Sequence, residues 1–173
     1  LKQVTITKAV SSQLSRARAT AEFALGESRH HLLHIDERPQ EIAHGQWEGL
    51  LAQEIAERDP LTFKAWRDAP QTVQMPDGES IQQVLERDWQ GFAAACEGMG
   101  ENDTLLLVAH DAVNRVLLCK VLGLGLDRLW AFRQAPTTLN LLEGAGVDAL
   151  EVVRLNDCSH HTALFGEAVH RAL

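Results

Sequence analysis

The chain has 173 residues, is 45% hydrophobic and 23% charged, and carries a formal net charge of −8 at pH 7 with a pI near 5.4. That composition fits a globular domain with a sizeable core and excludes a broadly cationic surface for nucleic acid or anionic lipid. No apolar run nears the roughly 20 residues that span a bilayer.

In chain order, "QVTITKAV" (3–10) is rich in β-branched residues and predicts a strand. In "SSQLSRARATAEFAL", Leu14, Ala17, Ala21 and Leu25 fall at helical spacing, with Ser11 or Ser12 as the cap and Gly26 as the stop. "HLLHID" predicts a short strand, and "RPQEIAHGQWEGL" a loop with two glycines. Two short helices follow, "LLAQEIAERDP" and "LTFKAWRDAP", stopped by Pro60 and Pro70. "QMPDGES" predicts a turn from its Asp-Gly pair. "SIQQVLERDWQGFAAACEGM" predicts a long amphipathic helix with Ile81, Val84, Leu85, Trp89, Phe92 and Cys96 on one face.

"TLLLVAHDAVNR" (104–115) reads as a buried strand that delivers His110 where a helix begins, running from about Asp111 to Leu122. "TTLNLLEG" and "ALEVVRLND" predict a strand pair joined by a turn around Gly144 and Gly146. The alternation of strands and helices predicts an α/β fold with helices covering a mainly parallel sheet. Ligands in such sheets bind at the carboxyl ends of strands, which singles out "KAVSSQLSR" and "AHD". The cysteines, Cys96, Cys119 and Cys158, are odd in number and form no CxxC pair. They predict small buried apolar residues in a reducing compartment, hence a cytoplasmic protein.

Arg16 and Arg18 follow the first strand, where guanidinium donors and free helix N–H groups can converge on an oxyanion. The plainer reading is a solvated helix face. His110 can be a nucleophile, an acid–base group or a phosphate donor, or a core histidine satisfied by backbone. Asp111 reads as a helix cap. Glu41 and Glu48 flank Gly45 in a loop, where burial would make either a general acid, and solvation merely a surface charge. The "HHLLH" histidines (His30, His31, His34) alternate across a strand and so fail to converge on a metal. His160 and His161 read as part of a polar loop, and "DGES" as a turn plus helix cap.

Together and in order, "VSSQLSRARATAE", "EIAHGQWEGL", "PDGES", "LLLVAHDAVNR" and a terminal "LND" followed by histidine resemble the histidine phosphatase superfamily, the phosphoglycerate mutase-like group. The matching positions are Ser12, Leu14, Arg16, Ala17, Thr20 and Ala21, then Glu41, Gly45, Trp47, Glu48 and Gly49. Pro76, Gly78, Glu79 and Ser80 follow, and then His110 and Arg115. The resemblance covers nearly the whole chain and implies a three-layer α/β sandwich forming one domain over 1–173. It implies that Arg16 binds the phosphoryl group, that His110 is the second active-site histidine, and that Glu41 protonates the leaving oxygen. It also implies no metal and no cofactor, since arginines and histidines supply the positive charge. The expected partner is a small phosphorylated metabolite, not nucleic acid or membrane, with a homo-oligomer left open.

The sequence departs from the family at one decisive point. The family's nucleophile lies in an Arg-His-Gly motif on its first strand, and these residues contain no such motif. "SRHHLL" has Arg29 and His30 without the glycine and in the wrong order, and His44–Gly45 belongs to the loop with Trp47. The expectation is therefore that "QVTIT" corresponds to the family's second strand. A strand, phosphate loop and helix, on the order of 40 residues, would then lie outside this sequence; a degenerate member is the alternative. Asp111 is a second departure, because a distant branch of the superfamily uses an aspartate there as proton donor. The segment between Gly49 and Pro76 is shorter than the closing insertion of the mutases. That favours a phosphatase, with a mutase and an inert phospho-ligand-binding module as the other readings. Trp47, Trp66 and Phe63 could line the substrate side or belong to the core.

Overall fold

A computed structural model describes residues 1–160. Its centre is a parallel three-stranded sheet in the order β2-β1-β3, with β1 at Lys8–Ser12, β2 at Leu33–Asp36 and β3 at Leu105–Val108. Ala9 pairs with Leu33 and Leu106, and Val10 with His34 and Leu107. Alternate residues therefore face opposite sides. Ala9 turns toward α1 (Ser15–Leu25), where Ile6, Ala9 and Leu25 form a buried cluster with Leu32, Leu33 and Leu106 packed on it.

β1 lies further along the chain than its β-branched residues predict. Thr7 is not within it, although its N–H donates to the Thr104 carbonyl at 3.0 Å. Ser11 and Ser12 are fully buried strand residues rather than helix caps. Ser11 satisfies its hydroxyl locally on the Ser12 carbonyl at 3.0 Å. The Ser12 hydroxyl accepts the Leu14 N–H at 3.2 Å and shapes the turn into α1, whose cap position is Leu14 with no side-chain acceptor.

The two prolines also act differently from expectation. Pro60 follows α2 (Ala52–Arg58) and opens α3 (Pro60–Asp68), at the position where a missing N–H costs nothing. Pro70 likewise opens a short 3₁₀ turn. α4 (Ile81–Cys96) packs against α5 (Asp111–Val121). A large buried cluster, including Ile55, Trp66, Met75, Ile81, Val84, Val113 and Val116, joins α2 to α5. Trp47 and Trp66 are buried within it and Phe63 packs on it, so all three are core residues.

The final strands, β4 (Leu139–Gly144) and β5 (Leu150–Asp157), pair antiparallel as expected but form a separate two-stranded sheet. The single mainly parallel sheet is therefore split. Among the described residues, the second edge of β3 pairs with no strand, and all of its residues are half-buried where a buried strand was expected. The cysteines are free, but only Cys119 is buried; Cys96 and Cys158 are partly exposed. No helix among the described residues is long and apolar enough to cross a membrane. His161 lies outside the described residues.

One core position breaks the apolar pattern of α4. Its buried face carries Asp88 alongside Ile81, Val84 and Phe92, while Trp89 and Cys96 are only partly covered. Asp88 is fully buried, and neither carboxylate oxygen has a hydrogen-bond partner. Burial pushes its pKa up to about 8; Arg87 opposes the shift and Asp36 adds to it. The native state thus holds a proton that the unfolded chain, near the ordinary carboxylate value, releases. This contribution to stability is complete below about pH 4 and declines toward pH 8 by about 1.4 kcal/mol per pH unit. Urea titrations of Asp88→Asn are expected to match the parent near pH 4 and to lack that decline.

Candidate functional site

The carboxyl ends of β1 and β3 and the loop after β2 converge. Arg16 extends from the first turn of α1 and is exposed. Glu41 is supplied by the 37–50 loop, and His110 is the residue between β3 and α5. The charge of Arg16 acts on both Glu41 and His110, so these residues form one electrostatic cluster although they lie far apart in sequence.

His110 occupies the helix N-cap position and makes no side-chain cap bond. It is buried, and its Nε2 has no hydrogen-bond partner. Burial first, then the positive charges of Arg16 and Arg87, depress its pKa to about 4. The ring is neutral at physiological pH, and it sits within reach of the charges of Arg16 and Arg87. Glu41 shifts the opposite way. Burial raises its pKa, and the nearby Asp111 charge adds to this. The N–H of Ile42 (3.0 Å), the N–H of Asp111 and the Arg16 charge pull partly back. A carboxyl held above its usual range beside a neutral imidazole suits a proton donor facing a hydrogen-bonding group.

Asp111 is not the cap. It is the first helical residue, and both of its oxygens accept from Arg115 Nε at 3.0 Å. Arg115 in turn donates to the carbonyls of Leu129 (3.3 Å) and Phe132, and lies 5.0 Å above the Trp130 ring. This matched motif residue therefore fastens α5 to the following segment, and Asp111 is committed to it. Arg18 pairs with Glu22 on a solvated face, while Glu48 is exposed and lies outside the cluster. Among the described residues no group of histidine, cysteine or carboxylate side chains could hold a metal ion.

The motifs around Gly45 and Gly78 have a steric reason. Gly45 has φ +57°, and a Cβ there would lie 2.0 Å from the Pro76 carbonyl oxygen. A Cβ on Gly78 would lie 2.2 Å from that of Ala43. Two backbones pass in direct contact, joined by Gln46 N–H to Pro76 O (2.9 Å) and Glu79 N–H to Ala43 O (2.8 Å). Ser80 caps α4 as expected, reciprocally with Gln83.

Arg87 has no place in the motif reading. From α4 its Nε and Nη2 bind the two Glu79 oxygens at 2.7 and 2.8 Å. The same guanidinium donates to the carbonyls of Arg38, Gln40 (2.8 Å) and Glu41 (3.3 Å). Glu79 also accepts the Ala43 N–H at 3.0 Å. Burial alone would raise the pKa of Glu79, but Arg87 and the Ala43 amide outweigh it and hold the carboxyl low. The loop carrying Glu41 is thus bound at both ends. The available signal was weak: Arg87 lies seven residues beyond the Ser80 cap, two turns along the same helix.

Known proteins resemble this chain over most of its length. The family model described as histidine phosphatase superfamily (branch 1) matches residues 1–158. Phosphoserine phosphatase 1 of Hydrogenobacter thermophilus is 30% identical over 166 residues, covering 94% of this chain and 75% of that protein. The adenosylcobalamin/alpha-ribazole phosphatase of Salmonella typhimurium is 28% identical over 133 residues, covering 77% of this chain and 65% of that protein. The structure of Bacillus stearothermophilus YhfR superposes with a TM-score of 0.84 at 29% identity, covering 92% and 78% of the two chains. Mycobacterial glucosyl-3-phosphoglycerate phosphatase Rv2419c with VO3 gives 0.75 at 27% identity, covering 90% and 77%.

Replacing Arg87 by methionine removes one of the charges depressing His110, so the His110 pKa is expected to rise toward its ordinary value, read by NMR titration of the ring. Loss of the Glu79 pair and three carbonyl bonds should cost roughly 2–4 kcal/mol of stability. Arg87→Lys should recover the ring titration but only part of the stability, because an ammonium cannot reproduce the fork.

Proposed function

Because the chain belongs to the histidine phosphatase superfamily (branch 1), we propose that it is the phosphoryl-binding part of a metal-independent phosphatase acting on small phosphomonoesters. The observation that carries this reading is the convergence of Arg16, Glu41 and a neutral, unpartnered His110 at the carboxyl ends of β1 and β3. The relatives named above, phosphoserine, alpha-ribazole and glucosyl-3-phosphoglycerate phosphatases, favour a small phosphorylated metabolite as substrate.

A phosphoryl group in transfer carries negative charge on its equatorial oxygens, so fixed positive donors supply most of its stabilisation. Arg16 offers a planar guanidinium fork, and His110 offers a ring N–H. The attacking imidazole, in an Arg-His-Gly segment outside these residues, bonds to phosphorus as the P–O bond to the alcohol breaks. Glu41 gives its proton to the departing oxygen. Water then attacks the phosphohistidine, Glu41 takes a proton from it, and inorganic phosphate leaves. Asp111 is an unsuitable donor because both its oxygens are held by Arg115. The open edge of β3 is compatible with a further strand from such a segment. A second reading, holding a phosphorylated ligand without turnover, rests on the absence of Arg-His-Gly from the 173 residues.

In the full-length protein, hydrolysis of p-nitrophenyl phosphate should persist in EDTA. His110→Ala and Arg16→Ala should each lower kcat/KM about 10²–10³-fold. Glu41→Gln should slow O-phosphoserine hydrolysis about 10²–10⁴-fold, and p-nitrophenyl phosphate far less, since p-nitrophenolate departs without a proton. The raised Glu41 pKa keeps the acid form present above the usual carboxylate range. Rate is therefore lost as pH rises through that value, and Glu41→Gln should remove this alkaline limb. Metal-dependent turnover, or equal losses on both substrates, would contradict the mechanism.

A further inference from the structure

His110 also lines a small cavity whose walls include neither Arg16 nor Glu41. One wall is His110, Asp111 and Asn114; the opposite wall is the segment from Gln134 to Thr137. That segment lies between the end of the helical region and β4 and has no regular structure of its own.

A chain of side-chain amides holds it. Gln134 is buried and forms a head-to-tail pair with Asn140: Gln134 Nε2 donates to Asn140 Oδ1 at 3.1 Å, and Asn140 Nδ2 donates to Gln134 Oε1 at 2.7 Å. Asn140 Oδ1 also accepts the Asn156 N–H at 2.9 Å. Asn156 Oδ1 then accepts the Ala135 N–H at 2.7 Å and returns the chain to the wall. Asn156 has φ +53°, and the β4–β5 register shifts beside it, with Leu139 opposite Asp157 but Leu141 opposite Arg154. The bulge turns its side chain out of the ladder and toward Ala135, a conformation that asparagine tolerates well. A bulge spent on one backbone amide is more than hairpin pairing requires.

The chemistry of this wall differs from that of the phosphoryl side. Gln134, Ala135, Pro136 and Thr137 carry no charge, and the facing Asp111 carboxylate is taken up by Arg115. Such a wall suits the alcohol part of an ester and not its phosphoryl dianion. We propose that Asn140 and Asn156 are positioning residues that set this wall and thereby decide which phosphate ester binds. The proposal rests on the phosphatase reading for the identity of the ligand.

The test measures binding by calorimetry to the full-length protein, using inorganic phosphate and non-hydrolysable phenylphosphonate. Asn156→Gly keeps the left-handed backbone and deletes the acceptor; it should weaken phenylphosphonate about tenfold and phosphate less than about twofold. Asn156→Asp retains an oxygen acceptor and should return phenylphosphonate to within about twofold of the parent. Equal weakening of both ligands, no weakening of either, or a parent protein that binds neither ligand overturns the proposal. Failure of the phosphatase reading shows differently: the parent does not turn over p-nitrophenyl phosphate although the selective binding pattern is present.

Discussion

The Arg87 guanidinium joins parts of the chain that their own backbone would leave apart. From α4 it reaches the Glu79 carboxylate of the preceding turn and the carbonyls of Arg38, Gln40 and Glu41 in the loop after β2. That loop has little regular structure, and without such a tie its residues would sample many conformations. The planar fork satisfies a partly buried carboxylate and several carbonyls at once, which a single ammonium could not do. Glu41 thereby acquires a fixed place against the first amide of α5.

The same charge reaches His110. Burial first, then Arg16 and Arg87, holds His110 neutral, while burial and then Asp111 hold Glu41 toward its protonated form. Neither shift arises from a partner within hydrogen-bond reach of His110, whose Nε2 is unpartnered. Under the proposed phosphatase reading, an anion bound here pairs with Arg16 and accepts the imidazole N–H. The packing of α4 and α5 and the close glycine contact at Gly45 and Gly78 hold these groups in place.

Much of the architecture could be read from the residues. Apolar periodicity located α4 and α5, the turn glycines Gly144 and Gly146 marked the β4–β5 pair, and the ordered motifs pointed to Arg16, Glu41 and His110 at one end of the sheet. Other features were hidden for identifiable reasons. Ser11 and Ser12 resemble a helix cap, yet strand hydroxyls can satisfy themselves on local backbone, so β1 runs on through them. Pro60 and Pro70 look like stops, but a proline is equally at home in a first turn. Asp88 sits on an apolar face because the fold pays for a protonated carboxyl, which no pattern of residue types announces. Arg87 and Asn156 act through backbone carbonyls and amides, and a partner of that kind leaves no mark in the identity of the residues it touches.

The central proposal is that the neutral His110, together with Arg16, binds a phosphoryl anion. It is tested most directly by ¹⁵N NMR titration of the His110 ring in the full-length protein, with and without saturating inorganic phosphate. The account predicts a free-state pKa well below that of an ordinary histidine, and an upward shift with phosphate, because a negative charge beside the ring favours the imidazolium. An ordinary pKa in the free protein, or one unmoved by bound phosphate, would contradict it.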